Sequence, residues 1–262
     1  MRWELTDVEF RTLSNRYFDG FMPPPLVFSS RTDSYDEFQR ELIETEARLR
    51  ERLDPGFNSV IDTLVRPEVL IYSSAWCDGD LENPKKRIRV HGARRGRRAV
   101  MVTQAPGETI YHSGGFTVTE CEPEELPALM IAELPDTEAG RGPALPIVFE
   151  ARPSEGERNS HSFAFDSFDD SVETRSQAWW AIPAEMSGAI RVLQARSKYG
   201  PRGIMELTLL WRDLPDDGRY LIEMETLETK AEGASKQRLA DRLEHRVNLV
   251  LAHMEERGEE TE

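Results

Sequence analysis

Apolar positions recur along the chain with two periods, and the changes of period mark the elements. The opening has the period of a helix. Thr6 followed by Glu9 is a capping box, with Leu5 and Phe10 placed as the hydrophobic staple across it. That helix ends before Gly20, and "PPPLVF" then reads as an extended segment or short strand. Ser34 with Glu37 forms a second capping box, opening a helix with Phe38, Leu42, Leu49 and Leu53 on one face. Asp54-Pro55 begins a third, short helix with proline at its first position, running to about Leu64.

The period then falls to two. The segments 68–76, 86–92, 97–104 and 109–120 read as antiparallel strands in series. In the second of them Ile88 and Val90 alternate with Arg87, Arg89 and His91, predicting one apolar and one charged face. "GARRG" supplies the hairpin connection to the third strand. "EPEELPALMIAELP" returns to a helical pattern, followed by a Pro/Gly-rich exit from Pro135 to Pro146. From about 150 to 176 the apolar pattern fades into Ser, Glu and Asp, which predicts an acidic linker or long surface loop. It separates an N-terminal half, about 1–149, from a C-terminal half, about 177–257.

In the second half Pro183 is placed to start a helix with Met186, Ile190 and Leu193 on one face, stopped by Gly200-Pro201. Strands follow at 203–213 and 218–227, joined by "LPDD". "ETKAEGASKQRL" then runs straight into a terminal helix carrying Leu239, Leu243, Val247, Val250 and Met254 in one stripe. That stripe is core packing in the simpler reading and a docking surface in the other. The two halves share a rhythm of helix, strand ending near a Trp, further strands and helix; "EVLIYSSAW" and "IMELTLLW" are the segments to compare.

Composition narrows the classes. With 262 residues, 39% of them hydrophobic, the chain can bury a substantial core. The opening residues hold no apolar run of the signal-peptide kind, and no stretch approaches the roughly 20 apolar residues of a membrane span. Cys77 and Cys121 are the only cysteines, which fits a reducing cytosol. The chain is expected to be cytosolic. A P-loop, a dinucleotide-binding glycine motif, a nucleophile elbow and a helical H-E-x-x-H are all missing from the sequence. His245 and His253 lie about 80° apart around the last helix, which is poor geometry for a shared metal. "YHSGG" imitates a His-Ser pair, though glycines at a bulge explain it more simply. Nothing here compels an enzyme, a metal or a cofactor.

One stretch stands against the overall charge. "KKRIRVHGARRGRRAVMV" is dense in Lys and Arg within a chain of formal net charge −15. It reads as a solvated hairpin defended by charge, as a protein-binding loop, or as a nucleic-acid grip over 85–98. The acidity of the whole and the lack of interleaved aromatics oppose the last.

The order of features has a counterpart. "WELTDVEF", "PLVF", "LVRPEVLIYSSAW", "LPALMIAELP", "YGPRGIMELTLLWRD" and "DDGRYLIE" together resemble the EspG family, the ESX (type VII) secretion-associated chaperones of actinobacteria. The most telling pieces are Trp3-Glu4-Leu5-Thr6, Leu134-Pro135 and Gly218-Arg219-Tyr220-Leu221. The resemblance implies a single α/β (α+β) domain of two quasi-twofold halves, with a central antiparallel sheet flanked by helices. It implies a cytosolic chaperone without catalytic activity or cofactor. Its client would be a PE–PPE helical heterodimer, held at the tip of the PPE helical hairpin and kept soluble for secretion. The family's grip combines a loop between early strands with the C-terminal helices. Carried over, that selects the connections 77–86 and 92–98 and the helix from about 235 to 256. The client-binding candidates are Asp80, Leu81, Arg87, Arg94, Arg95, Arg97, Arg98, Leu243, Val247, Val250 and Met254. The competing expectation is a nucleic-acid-binding regulator using the basic hairpin.

Overall fold

The structure is a computed structural model and describes residues 1–149 and 171–259. The elements follow in the order β1 (Arg2–Leu5), α1 (Asp7–Tyr17), α2 (Tyr35–Arg52), α3 (Phe57–Val65), β2 (Val69–Trp76), β3 (Ile88–Arg95), β4 (Arg98–Pro106) and β5 (Ser113–Cys121). Then come α4 (Leu126–Ala132), β6 (Leu145–Pro146), α5 (Val172–Ala181), β7 (Met186–Gln194), β8 (Glu206–Leu214), β9 (Gly218–Glu223), β10 (Lys230–Gly233) and α6 (Lys236–Glu256).

All ten strands join one sheet in the order β1-β5-β4-β3-β2-β7-β8-β9-β10-β6. β2 and β7 pair antiparallel at its centre, with Tyr72 opposite Arg191. From that pair the chain meanders outward on each side, β2 to β5 one way and β7 to β10 the other. β1 and β6 close the two edges. The strand order therefore reads alike from both ends. The counterpart of β2 is β7, so "EVLIYSSAW" corresponds to 186–194 rather than to "IMELTLLW", one strand further on.

Each meander ends in a helix, α4 or α6, and these lie together on one face of the sheet. There Ile71, Val90, Ile190, Leu209 and Trp211 meet Met130, Leu239 and Leu243 in the main core. On the other face α1 and α3 cover Ala93, Val100, Val102 and Val118 of the first half. α5 covers Tyr220, Ile222 and Ala231 of the second. Between α4 and β6 the chain crosses from one half to the other, strapped along β9: Gly140 N–H donates to Arg219 O at 2.8 Å, and Arg219 N–H donates to Glu138 O at 2.7 Å.

Local signals are built as the sequence predicts at several ends. Thr6 Oγ1 accepts from Glu9 N–H at 3.2 Å while Glu9 Oε2 accepts from Thr6 N–H at 2.8 Å. Ser34 caps α2 by accepting from Glu37 N–H. The third helix starts two residues late, at Phe57, because Asp54-Pro55 forms the turn before it, with Phe57 N–H donating to Asp54 O. "PPPLVF" forms no strand, since consecutive prolines have no N–H to offer a ladder.

Larger corrections lie in the second half. Residues 186–194, expected as a helix after Pro183, form strand β7. Met186, Ile190 and Leu193 satisfy a helical spacing, but Ile190 and Val192 also alternate, and β2 offers them an open edge. Gly188 belongs to this strand for a steric reason: a Cβ there would stand 2.5 Å from the Trp211 ring. The helix of this region lies upstream, where Ser171 caps α5 through Thr174 N–H. The end of the expected acidic linker is thus helical, while its part from 150 to 170 lies outside the described residues. "ETKAEG" contributes β10 before the last helix. In the first half, β3 runs on through Gly92 to Arg95, so the turn of the basic hairpin is Gly96-Arg97, with Gly96 at φ +53°. His91 is buried beneath the helical layer and the Pro-rich segment, so that face of β3 is not the open charged surface expected.

Candidate protein-binding surface

The basic hairpin is neutralised in part by its neighbours. Arg95 pairs with Asp62 of α3, and Arg98 Nη1 donates to Glu120 Oε1 at 2.9 Å. Gly96 N–H donates to Glu68 Oε2 at 2.9 Å. Arg94 is half-buried and Arg97 exposed, and neither forms an ion pair among the described residues. Three carboxylates thus take up donors that a polyanion would need.

The connection from β2 to β3 is built differently, as a self-contained unit. Asp80 accepts from Asn83 Nδ2 at 2.9 Å and pairs with Lys86 Nζ at 3.3 Å. Those two contacts, Asn83 foremost, hold its carboxyl below the usual range. Asn83 Oδ1 accepts from Lys85 N–H at 3.0 Å, and Arg87 Nε donates to Leu81 O at 3.2 Å. The result presents the Leu81 side chain, 49% exposed, among exposed Glu82, Lys85 and Lys86. Asp80, Leu81 and Arg87 therefore come together.

Arg94, Arg95, Arg97 and Arg98 do not join them. They sit at the other end of β3, whose eight residues at about 3.4 Å each separate the two connections by roughly 25 Å. A single small contact does not span both.

Leu243, Val247, Val250 and Met254 do not join either group. They are 0%, 3%, 0% and 4% exposed, packed into the main core. The apolar stripe of α6 faces the sheet because that is where its area leaves water, so these four are core residues and not surface contacts. The solvent side of α6 carries Glu244, His245, Asn248 and Leu249.

The sheet itself adds a surface that the sequence reading missed. Between the α1–α3 layer and α5, the residues Tyr72, Ser74 and Trp76 of β2 and Ala189, Arg191 and Leu193 of β7 remain partly exposed. Arg191 Nε donates to Glu206 Oε1 at 2.6 Å along the strip. Tyr72 stacks on His91 at 5.6 Å, and burial above all raises its hydroxyl pKa. His91 Nδ1 lies 2.7 Å from Pro24 O, and burial, only partly offset by that carbonyl, pushes its pKa down to about 4. The strip leads from β2 into the Leu81 loop. Its signal was available in "LIYSSAW", where the alternate positions are Tyr72, Ser74 and Trp76 rather than plainly polar. The β7 side was hidden by reading that strand as a helix.

Other chemistry is sparse. Among the described residues no three His, Cys, Asp or Glu side chains converge as a metal site. Burial foremost pushes the Cys121 thiol up to about 11, which makes it a poor nucleophile. In "YHSGG" Ser113 Oγ is engaged by Gly115 N–H at 3.0 Å and His112 Nδ1 by Thr109 Oγ1 at 2.8 Å, so the two side chains are committed elsewhere. A cavity of about 250 Å³ between α1, α2 and α3 has an apolar floor of Leu13, Leu49 and Phe57. Its rim arginines, Arg16 and Arg50, both bond Glu46, at 2.9 and 2.8 Å. No described helix is long and apolar enough to cross a membrane.

The short motifs of the family resemblance have a structural role. Arg219 Nη2 donates to Pro135 O at 2.9 Å, and its Nε and Nη2 each donate to Asp213, both at 2.7 Å. Leu134-Pro135 and Gly218-Arg219 thus meet where the chain crosses between halves. Comparison with known proteins agrees with that architecture. No curated protein sequence matches the chain significantly. A solved structure, the Mycobacterium tuberculosis type VII secretion system chaperone EspG5 in complex with a PE25-PPE41 dimer, shares the fold. Its TM-score is 0.54 at 11% identity, covering 92% of this chain and 94% of that one. The model of the EspG family matches residues 6–245, and the chain belongs to that family.

Proposed function

We propose that this protein is a cytoplasmic type VII secretion chaperone that binds a PE–PPE-type helical heterodimer and keeps it soluble, acting by binding alone. The observation that carries the reading is the fold shared over 92% of the chain with EspG5, a chaperone solved with such a dimer. Membership of the EspG family supports it. The surface that fits best is the Leu81 loop with the adjoining end of the open strip at Trp76. An apolar centre of this kind shields an exposed apolar helix tip from self-association. Lys85 and Lys86 at its rim speed association with a partner that carries acidic groups. Arg87 holds the Leu81 carbonyl and so shapes the loop from within. The nucleic-acid reading has less support, because Asp62 and Glu120 occupy two of the four turn arginines and the chain as a whole carries a formal net charge of −15.

Co-expression with a PE–PPE dimer from the chain's own genome, followed by calorimetry on the purified components, tests this. Leu81→Asp is expected to weaken binding at least about tenfold. Reversing the charge of Arg94, Arg95, Arg97 and Arg98 together is expected to leave it within about twofold. The opposite ranking moves the surface to the hairpin, and no binding by the unaltered chain removes the proposal.

A further inference from the structure

Arg212 of β8 has a side chain 4% exposed and lies on the sheet face that α5 covers. Its guanidinium carbon stands 4.9 Å from the ring centre of Trp179 and 5.0 Å from that of Trp180. Nη1 donates to Trp179 O at 3.0 Å, and Nη2 donates to the carbonyl of Ile182. Nη2 also reaches Asp78 Oδ2 at 3.1 Å. The same carboxylate oxygen accepts from Ala184 N–H at 3.0 Å, and Asp78 N–H returns a bond to Ala184 O at 3.4 Å.

Asp78 is the root of the loop that presents Leu81. Beyond it, every hydrogen bond of residues 79–87 with the described residues stays within 77–87. The loop is therefore a folded unit carried by its two strands and by one lateral attachment. Burying a guanidinium is expensive in free energy and contributes little net stability. What this one does is join the end of α5, the start of β7 and the loop root into one body.

We infer that Arg212 is a positioning residue of the client surface. Packed against both tryptophans, whose rings meet edge to face at 5.1 Å, it bonds Asp78 and thereby sets the direction in which Leu81 is presented, so the loop is ordered before the client arrives. The inference rests on the reading of that loop as the client surface. It also assigns a role to Trp179 and Trp180 together, as the two aromatic contacts that seat the guanidinium at the end of α5.

Arg212→Ala opens a cavity in a buried layer, so the deciding variant is Asp78→Ala. That variant frees the loop root from Ala184, Arg212 and Ser187 together, so Arg212→Met, which keeps the bulk and loses the guanidinium, is measured beside it. Arg212→Met is expected to show the same change, and unchanged exchange in 79–87 for Arg212→Met overturns the role of Arg212. Hydrogen exchange on the free protein is expected to speed up about tenfold or more in 79–87 and to stay unchanged in β2 and β7. Binding of the PE–PPE dimer is expected to weaken about tenfold. In the Asp78→Ala background a further Leu81→Ala change is expected to do much less than it does alone, because the two act through one element. A merely structural role predicts additive losses. Unchanged exchange in 79–87, or simple addition of the two losses, overturns the inference. If the unaltered chain binds no PE–PPE dimer, the chaperone reading falls instead, and the exchange measurement still decides whether Arg212 and Asp78 pin the loop.

Discussion

The arginines of the β3–β4 turn and the arginine of β9 are the same side chain in two different solvents. Arg95 and Arg98 lie at the surface, 26% and 54% exposed along their side chains, each beside one carboxylate. Arg219 is fully enclosed beside Asp213, which accepts two of its bonds at 2.7 Å and also accepts from Thr137 at 2.9 Å. Its guanidinium lies over the Trp211 ring at 4.8 Å. In water an ion pair of the first kind is worth about 0–1 kcal/mol. Removing one partner of the second kind leaves a charge in low dielectric and costs about 3–5 kcal/mol. Density of charge along a sequence therefore marks where water is, while the charges that matter most to the fold are sparse and buried.

The comparison breaks first at Arg219. Arg219→Ala is expected to destabilise the protein by about 3–5 kcal/mol, read by urea unfolding; a loss below about 1 kcal/mol contradicts the assignment of the crossover clamp. Next, Leu243→Ala removes a side chain that lies wholly inside the core, with an expected loss of about 3 kcal/mol. Its folded fraction should bind a client as the unaltered protein does. A selective loss of binding without loss of stability would return the α6 stripe to the surface.

Acid sharpens the same contrast through His91. Its folded pKa of about 4 lies below the unfolded value of 6.5, so the unfolded chain takes up the proton first. Stability is unaffected by this group above pH 6.5 and falls as the pH drops from there toward 4, by about 3 kcal/mol in full. His91→Gln is expected to flatten that part of the profile, and an unchanged slope shows that other groups carry it. The smallest effect belongs to the hairpin. Arg97→Glu, at an exposed turn position, should shift stability by no more than about 0.5 kcal/mol in thermal unfolding.

Much of the architecture was legible where local chemistry acts alone. The Thr6–Glu9 box, the Ser34 cap, the strands of the first meander and the α6 stripe all follow from neighbours within a few positions. The stretch 183–200 was not legible in this way. Met186, Ile190 and Leu193 fit a helix, and only the free edge of β2 made the alternation of Ile190 and Val192 prevail. The surface was legible in part. Family resemblance selected the connection that holds Asp80 and Leu81, but it placed that connection alongside the Arg94–Arg98 turn, a strand-length away. The β7 side of the open strip was hidden by the helical spacing, and Arg212 carried no signal of its own, since a Trp-Arg-Asp run in a strand does not say which side chains meet Asp78 or Trp179.

By itself the sequence determined the capped starts of α1 and α2, the alternation of the first meander, and which stripe of the last helix leaves water. It also held, in a scattered set of short motifs, the family to which the chain belongs. Capping, turn chemistry and amphipathic period act over a handful of residues, so they are written locally. The tertiary structure alone decided that β2 and β7 form the centre of the sheet, that four carboxy-terminal candidates are core, and that Arg212 reaches a loop 134 positions earlier in the chain. Those outcomes depend on burial and on contacts between segments far apart in sequence, and only the folded sheet brings them within a hydrogen bond of each other.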